Sequence, residues 1–109
     1  MARKTVYNNI TTPELLTQVN EENSYLMKEF LDYLKSIDRA KTTIYQYEQD
    51  LNIFWVWNLQ YNNNKEFIKI TKREFAKFQN YAINEWQWSP KRTRRVKSVI
   101  SSLSNFIEN

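Results

Sequence analysis

The chain has 109 residues, the size of one domain, and its 41% hydrophobic and 16% aromatic side chains suffice for a core and exclude a disordered tail. It has no Cys and no His, which excludes disulfides and thiolate metal sites and removes the commonest general base and metal ligand, so neither a metal site nor a cofactor is expected. The net charge of +4 is uneven: residues 1–60 carry six basic and eight acidic side chains and residues 61–109 ten and four, which points to an anionic partner on the C-terminal side.

Gly is absent altogether, and sheets and tight hairpins usually need it where φ is positive. The fold class is therefore all-α, with Asn-rich connections; Asn62-Asn63-Asn64 suits left-handed helix ends. Residues 1–20 have weak periodicity and are expected to form an N-terminal arm or extension, within which Thr12-Pro13-Glu14 can open a short helical turn. Residues 21–109 form the helical domain.

The first clear helix is expected from about Glu22 to Ser36, with Leu26, Phe30, Tyr33, Leu34 and Ile37 on one stripe. The second runs from about Thr43 to Leu59. Thr43 and Gln46 have capping-box spacing, with Thr42 as the competing cap. Ile44, Tyr47, Leu51, Phe54 and Trp55 form its main stripe, while Ile53, Val56 and Trp57 lie elsewhere on the wheel. A helix apolar on several faces packs on several sides, so it is the central one or meets another domain. Phe67-Ile68-Lys69-Ile70 reads as an extended segment that tucks Phe67 or Ile68, and Ile70, into the core.

Thr71-Lys72-Arg73-Glu74 is a capping box, and the stripe Phe75, Phe78, Ala82, Trp86 follows, so the third helix ends near Trp86 or Trp88. The fourth opens with Ser89 as cap and Pro90 at the first helical position. Val96, Val99, Ile100, Leu103, Phe106 and Ile107 are its apolar stripe. No run of roughly 18 apolar residues offers a membrane span, and Met1-Ala2-Arg3-Lys4 leads into polar residues rather than a signal peptide, so a cytoplasmic protein is expected.

On a wheel of about 100° per residue, Lys91, Arg94, Ser98, Ser101 and Asn105 fall opposite that stripe, with Arg95 and Lys97 flanking. Lys91, Arg92, Arg94, Arg95 and Lys97 follow one another with no acid among them. Cations at a helix N-terminus oppose the macrodipole by ~0.3–1 kcal/mol each where exposed, so folding alone disfavours them and an anionic ligand explains them better than a merely solvated face. Arg and Lys neutralise phosphates and reach guanine edges; Ser and Asn bond to phosphate or base. A smaller candidate surface lies at the start of the second helix: Lys41, Thr42, Thr43, Tyr45, Gln46 and Gln49, for which ordinary cap and surface roles compete. Lys69, Lys72, Arg73 and Lys77 can extend the positive field. Most aromatics, the Tyr residues among them, sit at core spacing rather than as exposed stacking platforms; Trp57, Trp88 and Tyr61 are less clearly placed.

The pattern resembles the N-terminal core-binding (SAM-like) domain of the tyrosine recombinase, or phage integrase, family over roughly residues 22–108. In that family the second helix opens with a Thr, then a Tyr four residues on, then Asp-Leu and an aromatic, matched here by Thr43, Tyr47, Asp50, Leu51 and Phe54. Ile70-Thr71-Lys72-Arg73-Glu74-Phe75 fits the lead into a Phe-bearing third helix, and Ser89, Thr93, Arg95, Ser98, Leu103 and Phe106 fit the fourth. At Ser101 and Ser102 the sequence departs from relatives that carry basic or larger residues. The resemblance implies a four-helix orthogonal bundle that forms half of a clamp on double-stranded DNA, with its second and fourth helices toward the major groove. It also implies self-association in a recombination complex, and catalysis by Arg, Lys, His and Tyr on a separate C-terminal domain. No active site is expected within these 109 residues. A helix-turn-helix regulator, with Trp86-Gln87-Trp88-Ser89-Pro90 as its turn, and a SAM-like protein-interaction module are the competing readings.

Overall fold

The computed structural model describes residues 10–108. They form five α-helices: α1 (Pro13–Gln18), α2 (Glu21–Ser36), α3 (Lys41–Tyr61), α4 (Lys72–Glu85) and α5 (Pro90–Glu108). A 3-10 turn, Phe67–Lys69, links α3 to α4, and there is no strand among the described residues.

Each helix start has a local cause. The Thr12 hydroxyl accepts the Leu15 N–H at 3.3 Å and Pro13 occupies the first helical position of α1. The Asn20 side chain accepts the Asn23 N–H at 2.8 Å and opens α2. Thr71 and Glu74 form the reciprocal capping box of α4. From the segment expected as an N-terminal arm, Ile10 and Val19 are buried and α1 packs on α3; residues 1–9 lie outside the described residues.

The start of α3 departs from expectation. Its cap is Ala40, which has no side-chain acceptor, so neither Thr42 nor Thr43 caps the helix and the Thr43–Gln46 capping box does not form. Asp38, in the left-handed region at φ 61°, turns the chain, and Arg39 closes α2 by donating to the Leu34 carbonyl at 3.1 Å. Ala40 then accepts the first helical bond, from Ile44 N at 3.0 Å, and both threonines fall inside the first turn.

From Leu51 to Asn58 every residue of α3 except Asn52 is buried. A helix buried all round is the central element, and α3 packs against α1, α2 and α5. Phe54 and Trp57 reach α4, with ring centroids 4.9 Å (Phe54–Phe78) and 5.5 Å (Trp57–Phe78) apart, both in edge-on or nearly edge-on geometry. Phe30 and Leu34 of α2, Phe78 and Ala82 of α4, and Val96, Val99, Ile100 and Leu103 of α5 complete the core.

The α3–α4 connection turns without Gly. Asn63 and Asn64 take φ 62° and 50°, a region that Asn tolerates better than most residues. The carbonyl of Lys65 accepts from Asn23 Nδ2 at 2.9 Å and from Asn58 Nδ2 at 2.8 Å. Asn62 Nδ2 donates to Asn58 Oδ1 at 2.9 Å, so Asn23 and Asn58 share the Lys65 carbonyl and Asn58 in turn accepts from Asn62. The chain from Phe67 is a 3-10 turn rather than extended: it buries Phe67 and Ile70 and leaves Ile68 71% exposed.

The tyrosines correct the expectation of mainly core placement. Tyr25, Tyr33, Tyr45 and Tyr61 are exposed, whereas Trp57 and Trp88 are buried.

Candidate nucleic-acid interface

On α5 the Ser89 hydroxyl accepts the Arg92 N–H at 3.1 Å, and Pro90 needs no partner for its nitrogen. The apolar stripe then fixes the rotation of the helix: Val96, Val99, Ile100 and Leu103 are buried, so the residues opposite must face solvent. Lys91, Arg94, Lys97, Ser98 and Ser101 are all exposed. No acidic residue occurs on α5 before Glu108.

The remaining two arginines of the run are held by the protein. The Arg92 guanidinium lies 4.6 Å from the centroid of the Trp88 ring, a cation–π contact that keeps it half-buried. Arg95 crosses to α3: its Nε donates to Asp50 Oδ2 at 3.3 Å and its Nη2 to Asp50 Oδ1 at 3.1 Å. The Asp50 side chain is fully buried and that of Arg95 is 45% exposed.

At the start of α3, Lys41, Thr42 and Tyr45 are exposed, and Thr43, Gln46 and Gln49 are half-buried. Gln46 Nε2 donates to Asp50 Oδ1 at 3.2 Å. Asp50 thus gathers Gln46 of α3 and Arg95 of α5 and ties together the two helices that carry the expected surface. No side chain caps the first-turn N–H groups of α3, and the positive end of its dipole lies beside Lys41.

A cleft of about 490 Å³ between α4 and α5 is lined by Lys72 on the α4 side and by Lys97 and Ser101 on the α5 side. Lys69, Arg73 and Lys77 are exposed as well. Two partners escaped sequence reasoning. Trp88 is invisible as the platform of Arg92 because the chain must reverse between α4 and α5, where Gln87 takes φ 57°. Asp50 carried a signal: a carboxylate at helical spacing within the apolar stripe of Tyr47, Leu51 and Phe54 needs a buried partner. Among the described residues no group of acidic side chains gathers as a metal site, and no helix is long and apolar enough to cross a membrane.

Residues 26–108 match the family described as phage integrase, N-terminal SAM-like domain. The chain is 35% identical over 98 residues to the SPbeta prophage-derived recombinase-like protein YomM of Bacillus subtilis (strain 168). That similarity covers 90% of this chain and 28% of the relative, so the chain spans little more than a quarter of the relative's length. No solved structure matches the chain significantly.

Proposed function

Since the chain belongs to the phage integrase N-terminal SAM-like domain family, we propose that it is the DNA-gripping module of a tyrosine recombinase, binding the core site during site-specific recombination and DNA integration. Its partner is double-stranded DNA. The exposed row Lys91, Arg94, Lys97, Ser98 and Ser101 of α5, with Lys41, Thr42 and Tyr45 at the start of α3, forms the contact. Cleavage and rejoining of strands belong to a further, C-terminal domain, and copies of the module associate in the recombination complex in the cytoplasm.

One observation carries this reading. The cations Lys91 and Arg94 and the hydroxyls of Ser98 and Ser101 stand exposed on the side of α5 opposite its buried stripe, with Lys97 exposed on its flank and no acid among them. Two of the exposed cations, Lys91 and Arg94, lie in the first turn and a half, where they oppose the helix dipole and where an anion such as phosphate offsets that cost. The short α4–α5 turn has the length a helix-turn-helix requires, but family membership favours the recombinase over a regulator.

The test is binding of the 109-residue chain to a duplex of arbitrary sequence, read by fluorescence anisotropy, against the double variant Arg94→Ala/Lys97→Ala. We expect weaker binding across all duplex sequences with an unchanged helical circular dichroism spectrum. Unchanged affinity in the double variant removes α5 from the interface.

A further inference from the structure

Among the cations of α5, Arg95 is set apart by its partner. A carboxylate with 0% exposure holds it, and a second donor, Gln46 Nε2 at 3.2 Å, fixes that carboxylate from the other side. The Arg95 contact is side-on. Nε and Nη2 both point at Asp50, at 3.3 and 3.1 Å. A guanidinium has five N–H donors in a rigid plane. Two are spent on Asp50, which leaves both hydrogens of Nη1 and the second hydrogen of Nη2. Together these make the end-on fork, and the side chain is 45% exposed.

We propose that Arg95, buttressed by Asp50, is a specificity-determining residue that reads the O6/N7 edge of one guanine in the major groove. The inference rests on the duplex-binding reading above and adds base recognition to it. Three physical features favour a base edge over a phosphate. The pair with Asp50 is electrically neutral, so Arg95 adds little to charge neutralisation, while its directional hydrogen bonds remain. The fork is held in place before binding, so little side-chain freedom is lost when it meets a planar acceptor pair. Its position is the second turn of the helix, where groove-reading helices present side chains to bases. The exposed Lys91, Arg94 and Lys97 provide the mobile charges that phosphates call for. Asp50 is then a positioning residue, acting on DNA only through Arg95.

The experiment is selection from a randomised duplex library by the 109-residue chain and by Asp50→Asn, Arg95→Lys and the double variant Asp50→Asn/Arg95→Gln, with a salt series and a thermal melt for each. Arg95→Lys keeps the ion pair and loses the fork, so it retains the fold even where a change at buried Asp50 does not. The wild type is expected to select one guanine position by roughly 5- to 150-fold, the range of a good bidentate base contact. Arg95→Lys and the double variant are expected to flatten that position with the slope of log K against log salt nearly unchanged, and Asp50→Asn, where it folds, to flatten it with a slope no shallower than that of the wild type. A guanine preference that survives Arg95→Lys overturns the proposal. So does a salt slope that falls by about one in the Arg95→Gln double variant with base preferences intact, which makes Arg95 a phosphate contact. Melting temperatures that move while selection and slope do not reduce the pair to a structural tie. Duplex binding without any fixed guanine defeats this inference alone; no duplex binding at all defeats the function proposed above together with it.

Discussion

The side-chain oxygen of Asn23 on α2 accepts the backbone N–H of Phe67 at 2.8 Å, while its Nδ2 donates to the carbonyl of Lys65 at 2.9 Å. One side chain, 1% exposed, thereby takes up two polar groups of the connection that a sheet or helix would otherwise satisfy. Asn23→Ala leaves the buried Phe67 N–H without an acceptor, a cost of roughly 1–3 kcal/mol. Urea unfolding is expected to show that loss, and Asn23→Asp is expected to lose at least as much, because it keeps the acceptor but places a charge in a buried site without its donor. Wild-type stability in Asn23→Ala contradicts the assignment.

Glu74 closes the capping box of α4 and pairs with Lys65. The hydrogen bond from Lys65, then that from the Thr71 backbone, holds its carboxyl below the ordinary value of 4.5. A lowered folded pKa means that the unfolded chain takes up the proton first as the pH falls. The stabilisation is therefore present above 4.5 and is lost as the pH drops through that value toward the lower folded one. Melting temperature against pH is expected to fall in this acid window, and Glu74→Gln is expected to flatten the fall. An identical acid profile in the variant contradicts the pairing.

Much of this fold is legible in the sequence, and the exceptions share a cause. The helices announce themselves by apolar spacing, and Thr71-Lys72-Arg73-Glu74 and Ser89-Pro90 mark two starts because their partners lie within three residues. The start of α3 is misread because Thr42 and Thr43 look like caps, while the true boundary is set by Asp38 in the left-handed region. Asn23, Asn58 and Asn62 carry no local signal of burial, because their partners, the Lys65 carbonyl for the first two and Asn58 for the third, are supplied by the fold. In the candidate site, Lys91, Arg94, Lys97, Ser98 and Ser101 follow from the wheel of one helix alone. The different status of Arg92 and Arg95 does not follow, because Trp88 and Asp50 arrive from α4's end and from α3.

Tyr81 donates its hydroxyl proton to the Tyr61 oxygen at 3.1 Å across the ends of α3 and α4. That hydrogen bond, aided by burial and by the negative field of Glu85, pushes the Tyr81 pKa up to about 12 from 10.0. A raised folded pKa places the stabilisation below 10.0, and it is lost as the pH rises through about 12. Tyrosinate absorbance is expected to show one tyrosine titrating late, and Tyr61→Phe is expected to bring it earlier. If Tyr61→Phe leaves the late titration in place, the bond is not its cause.

The central claim is that the exposed cations of α5 and Lys41 of α3 meet duplex phosphates. The most direct measurement is the salt dependence of duplex binding for the wild type and for Lys91→Ala/Arg94→Ala/Lys97→Ala. Each neutralised phosphate contributes about −0.9 to the slope of log K against log salt, so four cations give a wild-type slope steeper than about −3. The triple variant is expected to flatten it by roughly two to three. A slope near zero in the wild type, or one unchanged in the triple variant, contradicts the account.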